Sequence, residues 1–255
     1  MDNVVARASR SRPLLLTAKE RQLASALRNA ANERRAYLHD NSQIAVNGRE
    51  SQSVKASIAA LRQGPVRYER DKTVFCENDP TDYLMLIVDG AVRSCRLYHN
   101  GDRGIAAFYL PGEIFGWNEG AKYSMYVEAA ADLTAFYLKR SALDSLAVRD
   151  PRVAEFILTT TKNELRRAYD HSLFLVRDCK QRFASFLLDL WKRSGKNDAL
   201  VIPMSYLDVA DYLGMQIETL SRLITAMERE GTIERSSTPK TLILRNRELI
   251  SLLAS

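Results

Sequence analysis

The period of hydrophobic and polar positions changes along the chain. Between residues 65 and 139, short runs rich in β-branched and aromatic residues are cut by glycines and turn pairs. Strands are predicted at Pro65–Arg70, Thr73–Glu77, Tyr83–Asp89, Ala91–Tyr98, Gly104–Leu110, Met125–Ala131 and Leu133–Lys139. Asn78-Asp79-Pro80, Asp89-Gly90, Asn100-Gly101 and Pro111-Gly112 punctuate them, a spacing that suggests a barrel or sandwich. A helical period follows. Arg140–Val148 is short, and Pro151 stands at the first turn of a long helix reaching about Val176. Its apolar positions are Val153, Phe156, Ile157, Leu165, Ala168, Leu175 and Val176, which offer one face to a partner helix, although Thr159–Glu164 is wholly polar. Asp178–Ser194 is a second amphipathic helix, with Phe183, Phe186, Leu187 and Leu190 inside.

Residues 1–62 read differently. They are rich in Ala, Arg, Asn and Ser, with Tyr37 as their only aromatic. A helix is plausible around Thr17–Tyr37, where Thr17 and Glu20 have capping-box spacing, and the polar stretch Asn41–Val54 reads as a linker.

The last quarter carries the functional signal. Ser205 can cap a short helix that buries Leu207, Val209, Ala210 and Leu213, and Gly214 ends it where a left-handed backbone is needed. After a tight turn, a helix from about Ile217 to Glu230 buries Leu220, Leu223, Ile224 and Met227. Two β-prone runs, Thr232–Arg235 and Thr241–Arg245, come next. Two short helices on a glycine turn followed by a hairpin form a winged helix-turn-helix. The leading turns of the second helix present Gln216, Glu218, Thr219, Ser221 and Arg222, side chains that can reach base edges in a major groove.

Composition narrows the class. The 255 residues are 46% hydrophobic and 27% charged, which excludes collagen, a disulfide scaffold and a wholly disordered chain. No apolar run approaches the ~18 residues of a membrane span, and the N-terminal three-leucine core is too short for a secretory signal, so a cytoplasmic protein is expected. Cys76, Cys95 and Cys179 form neither a disulfide framework nor a zinc cluster. No nucleophile–base pair, phosphate loop or paired metal ligand suggests an enzyme.

These features converge on a resemblance. Asp208-Val209-Ala210-Asp211-Tyr212-Leu213-Gly214 followed by Glu218-Thr219-Leu220-Ser221-Arg222 resembles the recognition unit of the CRP/FNR family of bacterial transcription regulators. Asp89-Gly90-Ala91-Val92, Asn100-Gly101 and Leu110-Pro111-Gly112-Glu113-Ile114-Phe115-Gly116 resemble its β-roll sensor, and the helix from Pro151 its dimerisation helix. The resemblance implies an α+β fold: an antiparallel β-roll at 63–150, a dimerisation helix at 151–176 and a winged helix-turn-helix at 177–255, with 1–62 as an extension. It implies a homodimer on double-stranded DNA that activates transcription through RNA polymerase. The turns Asn78-Asp79-Pro80 and Asn100-Gly101-Asp102 are candidate polymerase contacts.

The branch and the signal follow from departures within the family. Members that bind cyclic AMP carry a Gly-Glu pair and an Arg-Ser pair; here Gly116 is followed by Trp117, and the second pair falls on Tyr123-Ser124. A buried phosphate would lack its arginine, so no cyclic nucleotide is expected. With no cysteine before Cys76, the family's iron–sulfur cluster is not expected either, and His39, His99 and His171 show no heme-ligand pattern. No cofactor or metal is therefore predicted. Trp117 and Tyr123 can fill the old pocket and leave the dimer constitutively active; an unknown small ligand is the other reading. The Glu-x-x-Ser-Arg order of Glu218, Ser221 and Arg222 resembles the FNR/FixK-like branch, which reads TTGAT half-sites in an inverted repeat. That resemblance assigns Arg222 to the guanine, Glu218 to bases of the complementary strand and Ser221 to the outer thymine region. A ligand-dependent sensor, or a regulatory subunit whose helix-turn-helix docks protein, is the alternative. Cys179, between Asp178 and Lys180 at a helix start, is a candidate redox switch or a small, partly buried residue.

The net charge of +6 adds less than it first suggests. Residues 1–62 carry +6, residues 63–176 carry −2 and residues 177–255 carry +2. The basic excess lies in the extension, a candidate non-specific phosphate contact, and the case for DNA rests on a few placed side chains.

Overall fold

A computed structural model describes residues 48–97, 103–117, 120–173, 177–195 and 197–254. The described chain opens with helix α1 (Gly48–Ala60), followed by strands β1 (Arg62–Tyr68), β2 (Thr73–Phe75), β3 (Tyr83–Asp89), β4 (Val92–Leu97), β5 (Arg103–Tyr109), β6 (Ile114–Phe115), β7 (Tyr126–Ala129) and β8 (Leu133–Lys139). Helices α2 (Arg140–Arg149), α3 (Pro151–Ser172) and α4 (Cys179–Arg193) come next. The C-terminal part holds β9 (Ala199–Val201), α5 (Tyr206–Leu213), α6 (Ile217–Arg229), β10 (Ile233–Arg235), β11 (Thr241–Leu244) and α7 (Arg247–Leu253).

The first eight strands form two antiparallel four-stranded sheets, ordered β1-β8-β3-β6 and β2-β7-β4-β5. Facing apolar side chains such as Met85, Ile87, Val92, Phe115 and Leu133 make the core between them. The strand period of two explains β4: Val92 and Ser94 point into the roll, while Arg93 and Cys95 lie on its outer side. All four are buried, so both faces of this strand are covered. The outer cover is the C-terminal unit. One continuous core joins Cys95, Ile105 and Phe108 of the roll to Phe186 and Leu187 of α4 and Val209 and Leu213 of α5.

Helix α1 corrects the reading of Asn41–Val54 as a linker, because a helix runs from Gly48 to Ala60. Its apolar positions are few but correctly spaced. Val54 and Ile58, one turn apart, bury against Leu84, Leu138, Leu143 and Val153, and each such side chain contributes about 1.5–3 kcal/mol. The helix expected at Thr17–Tyr37 lies outside the described residues.

Helix α3 begins as expected. Pro151 occupies the first turn, and the Asp150 side chain caps the helix by accepting from the Arg152 N–H. Leu175 and Val176 lie outside the described residues, and the described apolar positions do not form the single face predicted. Val153, Phe156 and Ile157 turn inward onto the roll. A separate exposed row runs through Ala154, Leu158, Thr161, Leu165, Ala168 and Ser172, at alternating steps of four and three. That is heptad spacing, and Leu158 and Leu165 stand exposed on it among the described residues. From the polar centre, Glu164 faces the roll together with Arg167, whereas Thr161 lies on the exposed row.

Candidate nucleic-acid interface

The helix-turn-helix is built from local signals that agree with one another. Ser205 caps α5: its hydroxyl accepts from the Asp208 N–H, and Asp208 in turn receives the Ser205 N–H. Gly214 closes α5 with φ 60° and ψ 46°, a left-handed conformation that a Cβ would strain. The turn is gripped from below. Arg182 of α4 donates to the carbonyls of Leu213 and Gly214 at 2.6 and 3.1 Å.

Helix α6 then emerges with its two sides sharply divided. Leu220, Ile224 and Met227 are buried. Gln216, Glu218, Thr219, Ser221 and Arg222 are all exposed. Because successive residues advance by 100°, Glu218, Ser221 and Arg222 lie on one strip, which Thr225 and Arg229 continue. The exposed strip carries hydrogen-bond donors and acceptors of the kinds that recognise base edges.

The wing is braced to this helix. Arg235 of β10 pairs with Glu228 of α6 and donates to the Thr225 hydroxyl at 3.2 Å. The wing sheet has three strands, ordered β10-β11-β9, where the sequence had suggested a two-stranded hairpin. The added strand Ala199–Val201 has only three residues, too few for a period to register.

The sequence did not signal the charge network that ties α5 to the roll. Arg93 of β4 donates to both oxygens of Asp208 in α5, each at 3.0 Å, to Glu128 of β7 and to Asp71 of the β1–β2 turn. Arg103, at the start of β5, reaches Asp208 at 2.8 Å and Asp211 at 3.0 Å. Burial opposes the Arg93 charge, and hydrogen bonding to Glu128, the Asp208 charge and the bond to Asp71 outweigh it, so its pKa is raised. A second cluster joins Arg193 of α4 and Arg167 of α3 to Glu113. Burial alone would raise the Glu113 carboxyl, but these two arginines and the Leu110 N–H hold it below the usual carboxylate range. His171 of α3 stacks on Tyr212 of α5 at 4.2 Å and hydrogen-bonds its carbonyl oxygen at 2.8 Å. The available signal was Arg93 itself, an arginine inside the apolar strand Ala91–Cys95.

In the roll, the region that would receive a nucleotide is packed with rings. Tyr123 is buried and stacks on Phe75 at 4.3 Å, and Phe115 lies 5.8 Å from Phe75. Ser94, Tyr109, Trp117 and Ser124 also line the remaining void, which measures about 30 Å³. That is space for about one water. Trp117 donates to the Ile114 carbonyl at 3.1 Å and packs outward toward the α1–α3 core, so Tyr123 does most of the filling.

Cys179 opens α4 directly after its cap, Asp178. Its nearest cation is Arg182, with a guanidinium nitrogen 3.5 Å from the sulfur, whereas Lys180 pairs with Glu230. Cys76, Cys95 and Cys179 are all free thiols. Among the described residues, no helix is long and apolar enough to cross a membrane.

Comparison with known proteins agrees with this architecture. Residues 65–150 match the cyclic nucleotide-binding domain family, and residues 181–251 match the Crp-like helix-turn-helix domain family. The nitrogen fixation regulation protein FixK of Azorhizobium caulinodans is 38% identical over 206 residues, spanning 78% of this chain and 83% of that protein. The transcriptional activator protein FnrL of Cereibacter sphaeroides is 26% identical over 175 residues, spanning 65% of this chain and 71% of that one. The solved structure of FixK2 from Bradyrhizobium japonicum superposes with a TM-score of 0.69 at 36% identity and covers 74% of this chain and 96% of that one.

Proposed function

Because this chain belongs to the CRP/FNR family of transcription regulators and carries that family's DNA-binding helix-turn-helix, we propose that it binds an inverted TTGAT-type repeat as a homodimer and activates transcription. The observation that carries this reading is the division of α6. Leu220, Ile224 and Met227 anchor it, and Gln216, Glu218, Thr219, Ser221 and Arg222 stand exposed together. Arg222 can make a bidentate contact to guanine, Glu218 can accept from cytosine, and Ser221, Thr219 and Gln216 can complete the base or phosphate contacts.

The exposed row of α3 supports the dimer. Its seam from Ala154 to Ser172 mixes leucines with small residues, as close helix pairing requires. A two-fold axis along this seam would place two α6 helices in successive major grooves, ~34 Å apart. RNA polymerase is the partner that activation requires, and the bacterial chromosome places the protein in the cytoplasm. The stacked rings of Phe75, Phe115 and Tyr123 in the roll support activity without a nucleotide. Cys179 joins this reading as a redox-sensitive position whose oxidation would disturb Arg182 and the turn it grips. Equal peroxide responses of the wild type and Cys179→Ser would remove that part.

Fluorescence anisotropy on a labelled duplex tests the reading as a whole. The inverted TTGAT repeat should bind far more tightly than a scrambled duplex of equal length. Equal affinities for the two duplexes would contradict it.

A further inference from the structure

We propose that Arg93 and Arg103 of the β-roll are positioning residues for DNA binding: through Asp208 and Asp211 they set the angle at which the reader helix is presented. This rests on α6 as the reading helix, but neither arginine belongs to the reading face. Asp208 is only 2% exposed, and a carboxylate buried to that degree must be paired. Ser205 of its own domain bonds it, but both of its charged partners come from the roll. Both oxygens bond Arg93, one also bonds Arg103, and the latter arginine extends to Asp211, one turn further along α5. Arg93 is in turn held by Glu128 and Asp71, so its guanidinium is fixed from the roll before it meets α5.

Three features turn this contact into a positioning device. First, α5 and α6 move as a unit, because the Gly214 turn is tight and Arg182 bonds two of its carbonyls. An angle imposed on α5 is therefore passed to α6. Second, Arg193 fixes α4 to the roll through Glu113 and the Phe108 carbonyl, whereas the Phe108 ring packs on Tyr212 of α5 at 5.2 Å without direction and leaves the direction of α5 to Arg93 and Arg103. Third, all five reading side chains remain exposed while the network is closed, so the network does not compete with DNA. It holds a competent reader. In a dimer the two readers must match two half-sites at once, and a reader that rocks satisfies one half-site and misses the other.

Arg103 is the useful handle, since it is partly exposed and Arg93 keeps the buried end of the network paired without it. The experiment compares wild type, Arg103→Glu and the swap Arg103→Glu/Asp211→Arg on three duplexes: a single half-site, the inverted repeat, and the repeat with two base pairs inserted at its centre. Arg103→Glu should keep its half-site affinity within twofold. It should lose at least tenfold on the inverted repeat and no longer prefer the correct spacing. The swap should recover most of that loss and the preference. Unchanged affinity and spacing preference in Arg103→Glu would overturn the proposal, as would equal losses on all three duplexes or a swap that restores nothing. If the wild type ignores the TTGAT repeat, the operator assignment fails, and the same comparison is made on the repeat it selects from random duplexes.

Discussion

The two helices of the helix-turn-helix carry similar polar side chains and use them in opposite ways. In α5, Asp208 and Asp211 are consumed inside the protein, paired with Arg93 and Arg103 of the roll. In α6, Glu218, Ser221 and Arg222 stand exposed on the side opposite the buried Leu220 and Ile224. A charged residue in a motif is thus not a functional residue until its partners are known. Here the first helix is tied to the roll, and the second leaves its polar side chains exposed for the DNA contact proposed above.

The comparison predicts that damage to the two helices will look different. The largest expected effect is on stability. Asp208→Ala should cost about 3–5 kcal/mol, because it leaves a buried guanidinium short of a partner and breaks the Ser205 capping box. Chemical denaturation checks this, and a loss below about 1 kcal/mol would mean that the network is not saturated as described.

A second effect comes from two neighbouring carboxyls that burial treats differently. Glu113 is held low by its arginines, whereas desolvation pushes Glu164 up to about 7 despite Arg167. Glu164 therefore keeps its proton in the folded chain at pH values where the unfolded carboxyl, with a pKa of ~4.3, has lost it. Its contribution to stability is full below about pH 4.3 and is lost as pH rises through about 7, a change of roughly 3–4 kcal/mol. Glu164→Gln should flatten that slope between pH 5 and 7 in denaturation curves. A variant with the wild-type slope would assign the titration elsewhere.

On the second helix, Arg222→Ala should leave the melting temperature unchanged and weaken operator binding by about 1–3 kcal/mol. A melting shift as large as that of Asp208→Ala would break the comparison. The smallest effect is at the joint between the helices. Gly214→Ala should cost about 1 kcal/mol of stability from its left-handed backbone, with the new Cβ about 3.4 Å from the Arg182 guanidinium.

Much of this fold was legible because local signals agreed with tertiary demands. Capping at Ser205, the left-handed Gly214 and the three- and four-residue spacing of Leu220, Ile224 and Met227 each point to the same two helices. Helix α1 was hidden because only Val54 and Ile58 mark its buried side. The short strands β6 and β9 were hidden by their length. The seam of α3 was misassigned because two apolar rows share one helix, and sequence spacing alone does not say which row faces the roll. The exposed set at the start of α6 was legible in full. The Arg93 network was not, since ion pairs between residues 115 positions apart leave no local pattern.

The central claim, that α6 reads bases and Arg222 reads the guanine, is tested most directly by discrimination rather than affinity. Wild type and Arg222→Ala are each titrated onto the inverted TTGAT repeat and onto the same duplex with both guanines replaced by adenine. Wild type should prefer the guanine duplex by at least tenfold, and Arg222→Ala should bind the two equally. An Arg222→Ala variant that kept the wild-type preference would contradict the account.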